Sequence, residues 1–288
     1  MFRLTRRILS LLGAVLIAAP TLAHGQTQGL VPPSTGNLAG LVFDAVLYSP
    51  ILAREMPYRI YLPPDYLRSD VRRFPVLYML HGAGGNYTEW SDSFLPHQLD
   101  ALIQNGSVQP MIVVMPDGGG RTYFANWDND GPRYSDYLAQ DVISEIDVRY
   151  RTLPYASSRA VGGLSMGGLA ALQVAMRNPY VFGIVGAHSP SIRLEPDQEL
   201  WFLTNDNWLQ HDPIWLAANA PGAAGLIYWI DVGAEDWWRP NIEYLDTALL
   251  SHGLRVTFTV FSGTHEADYW IEHVPDYLRF YGTSLRYE

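Results

Sequence analysis

The stretch Ala160-Val161-Gly162-Gly163-Leu164-Ser165-Met166-Gly167-Gly168 decides the reading of this chain. A short apolar run, Ala160 to Leu164, enters a glycine-rich turn. A run with helical spacing, Leu169 to Met176, leaves it. Gly163-Leu164-Ser165-Met166-Gly167 is therefore a G-x-S-x-G pentapeptide in strand–turn–helix context. A serine in such a turn holds strained backbone and raises its Oγ above a sheet. The positive end of the following helix lies beside it and offers N–H groups to an oxyanion. The glycines leave room where strand and helix come close. The plain alternative is a turn with a capping serine. The flanking elements and the partners downstream weigh against it.

A nucleophilic serine needs a base and an acid to orient that base. His265 follows the strand-like run Arg255 to Phe261, in Ser262-Gly-Thr-His265. The acid is expected between serine and histidine in the chain. There Ile230-Asp-Val-Gly-Ala-Glu-Asp236 follows another strand and offers Asp231, Glu235 and Asp236. Asp236 is favoured because it lies further out in the loop, where a side chain can turn back toward a histidine. Asp231 sits at the strand end, where it can cap the loop instead. The order Ser165, Asp236, His265 is that of an α/β-hydrolase. His188 ends a strand but precedes the expected acid, which breaks the order. Upstream, His81-Gly-Ala-Gly-Gly85 follows a buried run and lacks the G-K-[ST] of a phosphate loop. Its backbone N–H groups are expected to form one half of an oxyanion hole, and the N–H of Met166 the other.

Around these motifs strands alternate with helices. Leu41–Tyr48 and Met56–Leu62 read as strands, as do Phe74–Leu80, Met111–Met115, Tyr180–Ala187 and Leu226–Ile230. Helices are expected over 94–104, 137–149, 242–251 and 267–280. This predicts an α/β fold, a mostly parallel central sheet with helices on both faces. Residues 189–221 interrupt the rhythm as an aromatic-rich, cap-like insert of short helices and turns. They carry Trp201 and Trp208, while Tyr123 and Trp127 lie in the polar loop 121–135 and Trp237 adjoins Asp236. These five aromatics are expected to line a broad cleft that stacks an aryl or sugar ring. Asp128-Asn-Asp-Gly131 matches only part of a calcium loop and reads as a turn.

The N-terminus carries Arg3, Arg6 and Arg7, an apolar run from Ile8 to Ala19, and Thr21-Leu-Ala23. This is the pattern of a cleaved secretory signal over residues 1–23, the apolar run being shorter than a membrane span. Export to a periplasm or the medium is expected, with no stable membrane insertion after cleavage. A flexible segment over 24–40 and a catalytic domain over 41–288 are expected to follow.

Composition narrows the function classes. All 19 basic residues are arginine, against 29 acidic ones, for a formal charge of −10. Losing the leader arginines deepens that deficit. An acidic chain is a poor nonspecific binder of nucleic acid, and no nucleic-acid partner is expected. The lack of lysine excludes Schiff-base chemistry, and the lack of cysteine excludes disulfides, thiolate metal sites and thiol nucleophiles.

Over Val42 to Gly282 the chain resembles the putative-esterase family of α/β-hydrolases, which includes feruloyl esterases, esterase D, enterochelin esterase and antigen 85-like proteins. The resemblance rests on Tyr61-Leu-Pro-Pro-Asp-Tyr66, Phe74-Pro-Val-Leu-Tyr-Met-Leu-His-Gly-Ala-Gly-Gly85, Trp90 and Val114-Met-Pro-Asp-Gly118. It continues through Gly163-Leu-Ser-Met-Gly-Gly168, Gly233-Ala-Glu-Asp236, Gly263-Thr-His265 and Trp270. It implies Ser165 as nucleophile, His265 as base, Asp236 as acid, and the Ala83 and Met166 amides as oxyanion hole. It also implies a serine carboxylesterase acting on small-molecule or carbohydrate-linked esters, with short-acyl or aryl groups such as acetyl or feruloyl. Neither half-reaction needs a metal or organic cofactor. An acyltransferase with the same three residues and an inactive binding module are the other classes.

Overall fold

The computed structural model describes residues 38–288. The expected signal segment, and residues 24–37 of the expected flexible segment, lie outside the described residues. Residues 39 and 40 are tied down rather than loose. Their N–H groups donate to the buried carboxylate of Asp100, which also accepts from the Tyr61 hydroxyl.

The strands are β1 (Leu41–Ser49), β2 (Arg54–Leu62), β3 (Val76–Leu80), β4 (Ile112–Pro116), β5 (Arg159–Leu164), β6 (Ile184–His188), β7 (Ile227–Gly233) and β8 (Val256–Phe261). They form one eight-stranded sheet in the order β1-β2-β4-β3-β5-β6-β7-β8. The β1–β2 hairpin is antiparallel and joins β4 antiparallel; every other pairing is parallel. A covered parallel strand reads as unbroken apolar sequence because both of its faces are buried. In β3 the side chains of Val76, Tyr78 and Leu80 join one core, and those of Leu77 and Met79 the other. The first core packs under the helices Met166–Arg177, Pro213–Asn219 and Arg239–Ser251. The second packs under Leu95–Gln104 and Ala267–Ser284.

Several expected boundaries shift. The strand anticipated from Tyr180 begins at Ile184; Val181 and Phe182 donate back to Asn178 in a turn, and Tyr180 faces solvent. The helix expected over 137–149 opens with a π-helical turn, Tyr137–Val142. The C-terminal helix runs on to Ser284 despite Pro275 in its interior. Proline leaves the carbonyl four residues earlier without its helical donor. That carbonyl, of Ile271, accepts from the Gln98 side-chain amide of the neighbouring helix at 3.3 Å. The insert between β6 and β7 consists of short helices, as expected.

Candidate active site

Ser165 follows β5 directly and precedes the helix Met166–Arg177. Its φ of +51° and ψ of −114° are strained for a residue with a side chain, at a cost of roughly 1–3 kcal/mol. The surroundings hold it there. Ser165 N–H donates to His188 O at 3.0 Å, and Ser165 O accepts from Gly168 and Leu169 at 3.1 Å each. The flanking glycines serve close approach. A Cβ on Gly163 would meet the Gly167 backbone at 2.5 Å, and one on Gly167 would meet the carbonyl of Leu80. The Met166 N–H, at the first turn of the helix, meets no acceptor among the described residues.

The loops after β7 and β8 are zipped together. Ala234 N–H donates to Phe261 O at 2.7 Å, Glu235 N–H to Gly263 O at 3.0 Å, and Gly263 N–H to the Glu235 carboxylate at 2.9 Å. This pairing brings Asp236 to His265. His265 Nδ1 stands 2.7 Å from Asp236 Oδ2, and His265 Nε2 stands 2.8 Å from Ser165 Oγ. With Nδ1–H given to the carboxylate, the Nε2 lone pair faces the serine hydroxyl. The Ser189 hydroxyl also donates to Asp236 Oδ2, and Trp238 N–H to Oδ1 at 2.7 Å. Burial pushes the Asp236 carboxyl up; the His265, Ser189 and Trp238 donors more than offset this and hold it below the usual carboxylate value. The imidazole packs against two indoles, Trp237 with ring centres 4.7 Å away and Trp270 edge-on at 4.9 Å.

The start of the loop 81–85 is held from two sides. Gly118 N–H donates to His81 Nε2 at 2.9 Å, and Gly82 N–H to Glu89 Oε2 at 2.6 Å. Trp90 Nε1–H binds Leu80 O at 2.9 Å. Ala83 is exposed, and no described residue accepts its N–H. Ala83, Ser165 and His265 line one open cleft of about 490 Å³.

Of the five aromatics expected to meet substrate, the structure brings two to this cleft, Tyr123 and Trp237. The other three do not line it. Trp127 stacks on Phe202 at 4.6 Å, Trp201 packs edge-on against Trp127 and points to solvent, and Trp208 borders a separate small cavity beside His211. They pack the insert onto the loop 121–135. Sequence reasoning passed over Glu89, Ser191, Arg193, Asp197 and Glu199, which also line the cleft. The available signal was position, since Ser191 and Arg193 follow the carboxyl end of a central strand.

The competing residues have other partners. Asp231 is fully buried and accepts from Tyr269 at 2.7 Å, Tyr277 at 3.1 Å and His188 Nδ1 at 2.7 Å. Glu235 holds Gly263, as above. Asp128 to Gly131 is a turn, closed by Gly131 N–H on Asp128 O at 3.0 Å, and the Asp128 side chain takes Asn207 of the insert at 2.6 Å.

The parallel sheet, the serine at its strand–helix turn and the histidine and aspartate on later loops define the α/β-hydrolase class. Residues 49–281 match the model of the family described as "Putative esterase", and the chain belongs to that family. Among curated proteins it is 33% identical to "Esterase Rv1288" of Mycobacterium tuberculosis (strain ATCC 25618 / H37Rv) over 141 residues, 48% of this chain and 30% of that protein. It is 31% identical to "Endo-1,4-beta-xylanase/feruloyl esterase" of Xylanibacter ruminicola over 162 residues, 52% of this chain and 21% of that one. The chain thus matches less than a third of the length of either relative. A solved ferulic acid esterase shares the fold, with a TM-score of 0.78 and 23% identity over 87% of this chain and 100% of that one. No helix among the described residues is long and apolar enough to cross a membrane.

Proposed function

We propose that the chain is an exported serine carboxylesterase that hydrolyses short-acyl or aryl esters, feruloyl and acetyl esters of carbohydrates among them, through an acyl-enzyme. The observation that carries this is the hydrogen-bonded row from Ser165 Oγ through His265 to Asp236, with its serine end opening on the cleft. Ser165 Oγ attacks the ester carbonyl as His265 Nε2 takes its proton. Asp236, kept anionic by its donors, holds the tautomer and stabilises the imidazolium. The oxyanion grows toward the N–H groups of Ala83 and Met166. His265 returns the proton to the departing alcohol. Water then enters by the same base and releases the acid. No step calls for a metal or organic cofactor.

The name of the xylanase/feruloyl esterase relative and the indole of Trp237 beside His265 support aryl and sugar-linked substrates. The test has two parts. A fluorophosphonate probe is expected to label Ser165, and the Ser165→Ala protein is expected to stay unlabelled. kcat/KM is then compared for acetate, butyrate, palmitate and methyl ferulate esters under non-micellar conditions, because that ratio reports transition-state binding. A clear preference for palmitate overturns the substrate assignment. Transfer to an added sugar alcohol in preference to water replaces the hydrolase by an acyltransferase. Export is tested by intact mass, with the secreted protein expected to begin at His24.

A further inference from the structure

The cleft is lined by one guanidinium, and the bonds of that group say what the cleft turns away. Arg193 is 6% exposed in its side chain. Its Nε–H donates to Asp197 Oδ2 at 2.5 Å. One terminal nitrogen donates to Ser191 O at 3.0 Å and to Ser191 Oγ at 3.4 Å, and the other to Tyr123 OH at 2.7 Å and Glu199 Oε2 at 3.2 Å. Arginine carries five N–H donors, and these five bonds use them all. Two aromatic rings lie against it as well, with the ring centres of Tyr123 and Trp238 4.8 Å and 5.1 Å from the guanidinium carbon. Arg193 is a strut joining the loop after β6, the loop 121–135 and the segment that carries Asp236. A carboxylate entering the cleft meets no open donor on it.

Carboxylate oxygens, by contrast, do face the cleft. The side chains of Asp197 and Glu199 are 42% and 52% exposed and line it, and so does Glu89, whose Oε2 takes Gly82 N–H. Arg121 lies 3.5 Å from the outer oxygen of Glu199, 65% exposed at the rim and outside the lining; with it counted, acids still outnumber cations three to two. Three acids against one fully engaged cation leave the lining net negative.

We propose that this cleft selects by charge, accepting esters with a neutral or cationic acyl end and disfavouring those that carry a free carboxylate, with Arg193 as a positioning residue and not an anion receptor. The inference rests on the reading of this cleft as the ester site, and deepens it by naming a substrate class. Repulsion between like charges across a partly enclosed cleft exceeds that in bulk water and weakens with salt.

Three p-nitrophenyl esters of equal chain length test it: the hexanoate, the 6-aminohexanoate and the half-ester of adipic acid. At neutral pH and low ionic strength, kcat/KM for the adipate half-ester is expected to be about tenfold or more below the hexanoate. The aminohexanoate is expected to match or exceed the hexanoate. High salt is expected to close most of the adipate gap. Glu199→Gln, with Glu89→Gln as the second variant, is expected to raise the adipate-to-hexanoate ratio several-fold. Adipate cleaved as fast as hexanoate overturns the proposal. So does equal, salt-insensitive slowing of both charged esters, which burial of any charge would produce. So does a ratio unmoved in both variants. Failure to cleave any of the three esters falls instead on the esterase reading.

Discussion

Two histidine–aspartate pairs stand within this molecule at the same separation. His265 Nδ1 lies 2.7 Å from Asp236, and His188 Nδ1 lies 2.7 Å from Asp231. The pairs differ in what the second ring nitrogen meets. Nε2 of His265 faces a serine hydroxyl at the wall of an open cleft. Nε2 of His188 faces Tyr281 OH at 2.9 Å, and its ring stacks on Tyr277 at 3.6 Å, with both members of the pair fully buried. A carboxylate fixes an imidazole's tautomer in either setting. Only the first leaves the freed lone pair beside a hydroxyl that opens on a cleft. The second pair lies behind the first, and His188 O takes the N–H of Ser165 and the indole N–H of Trp270. The first pair has the arrangement that the proposed proton transfer requires; the second holds its neighbours still.

The largest effect that would break this contrast is on Ser165. Ser165→Ala is expected to lower turnover by about a million-fold, as loss of one member of such a row does in comparable enzymes. Near-normal steady-state ester hydrolysis in a folded variant removes the assignment. Next come the two aspartates. Asp236→Asn is expected to cost roughly ten-thousand-fold in kcat by setting the wrong tautomer. Asp231→Asn is expected to keep kcat within about tenfold of the parent while stability falls by roughly 3–5 kcal/mol, the range for breaking a buried pair. Denaturant midpoints and kcat on the same samples check both, and similar kcat losses erase the distinction.

A third imidazole sharpens the comparison. His211 is buried, its Nδ1–H donates to Gln173 Oε1 at 2.5 Å, and among the described residues no carboxylate pairs with it. Burial first, and then the charge of Arg177, push it down to about 3. The unfolded chain binds a proton at this position below about 6.5, and the native one does so only near 3. Its contribution is therefore complete above pH 6.5 and lost progressively as pH falls toward 3, on the order of a few kcal/mol. Thermal melts of His211→Gln are expected to show a flatter pH dependence across that window. An unchanged slope would remove His211 as its source. The smallest expected change is at Trp237, which is 62% exposed beside His265. Trp237→Ala is expected to raise KM for aryl esters a few-fold with little change for acetate; equal loss on both would assign the indole to support of His265 instead.

Much of this was legible in the sequence because it depends on local chemistry and order. Covered parallel strands announce themselves as apolar runs, and Gly163 and Gly167 mark a turn whose neighbours touch. Asp236 was separable from Asp231 by its place beyond the strand end, and the zipped loops give that place its meaning. The cleft wall was less legible. Tryptophans draw attention as stacking surfaces, yet Trp127, Trp201 and Trp208 pack the insert, while Arg193 and Glu199 form the wall. Which side of an irregular segment faces a cleft is set by contacts between loops distant in the chain, such as Tyr123 with Glu199 at 2.8 Å, and no periodicity records them. The same holds for His188, whose four aromatic neighbours come from other elements.

The proline within the last helix carries a consequence for engineering. Pro275 withholds an N–H from Ile271 O, and Gln98 of another helix supplies one. The two helices are thereby riveted at a point where a regular helix would have nothing to offer a neighbour. Replacing Pro275 by alanine would satisfy Ile271 from within and make the rivet redundant, so the substitution that helix propensity recommends would loosen the joint it was meant to strengthen. Since Tyr269 and Trp270 ride on that helix beneath His188 and His265, thermostabilisation of this region is better sought on its exposed outer face than at its irregular turn.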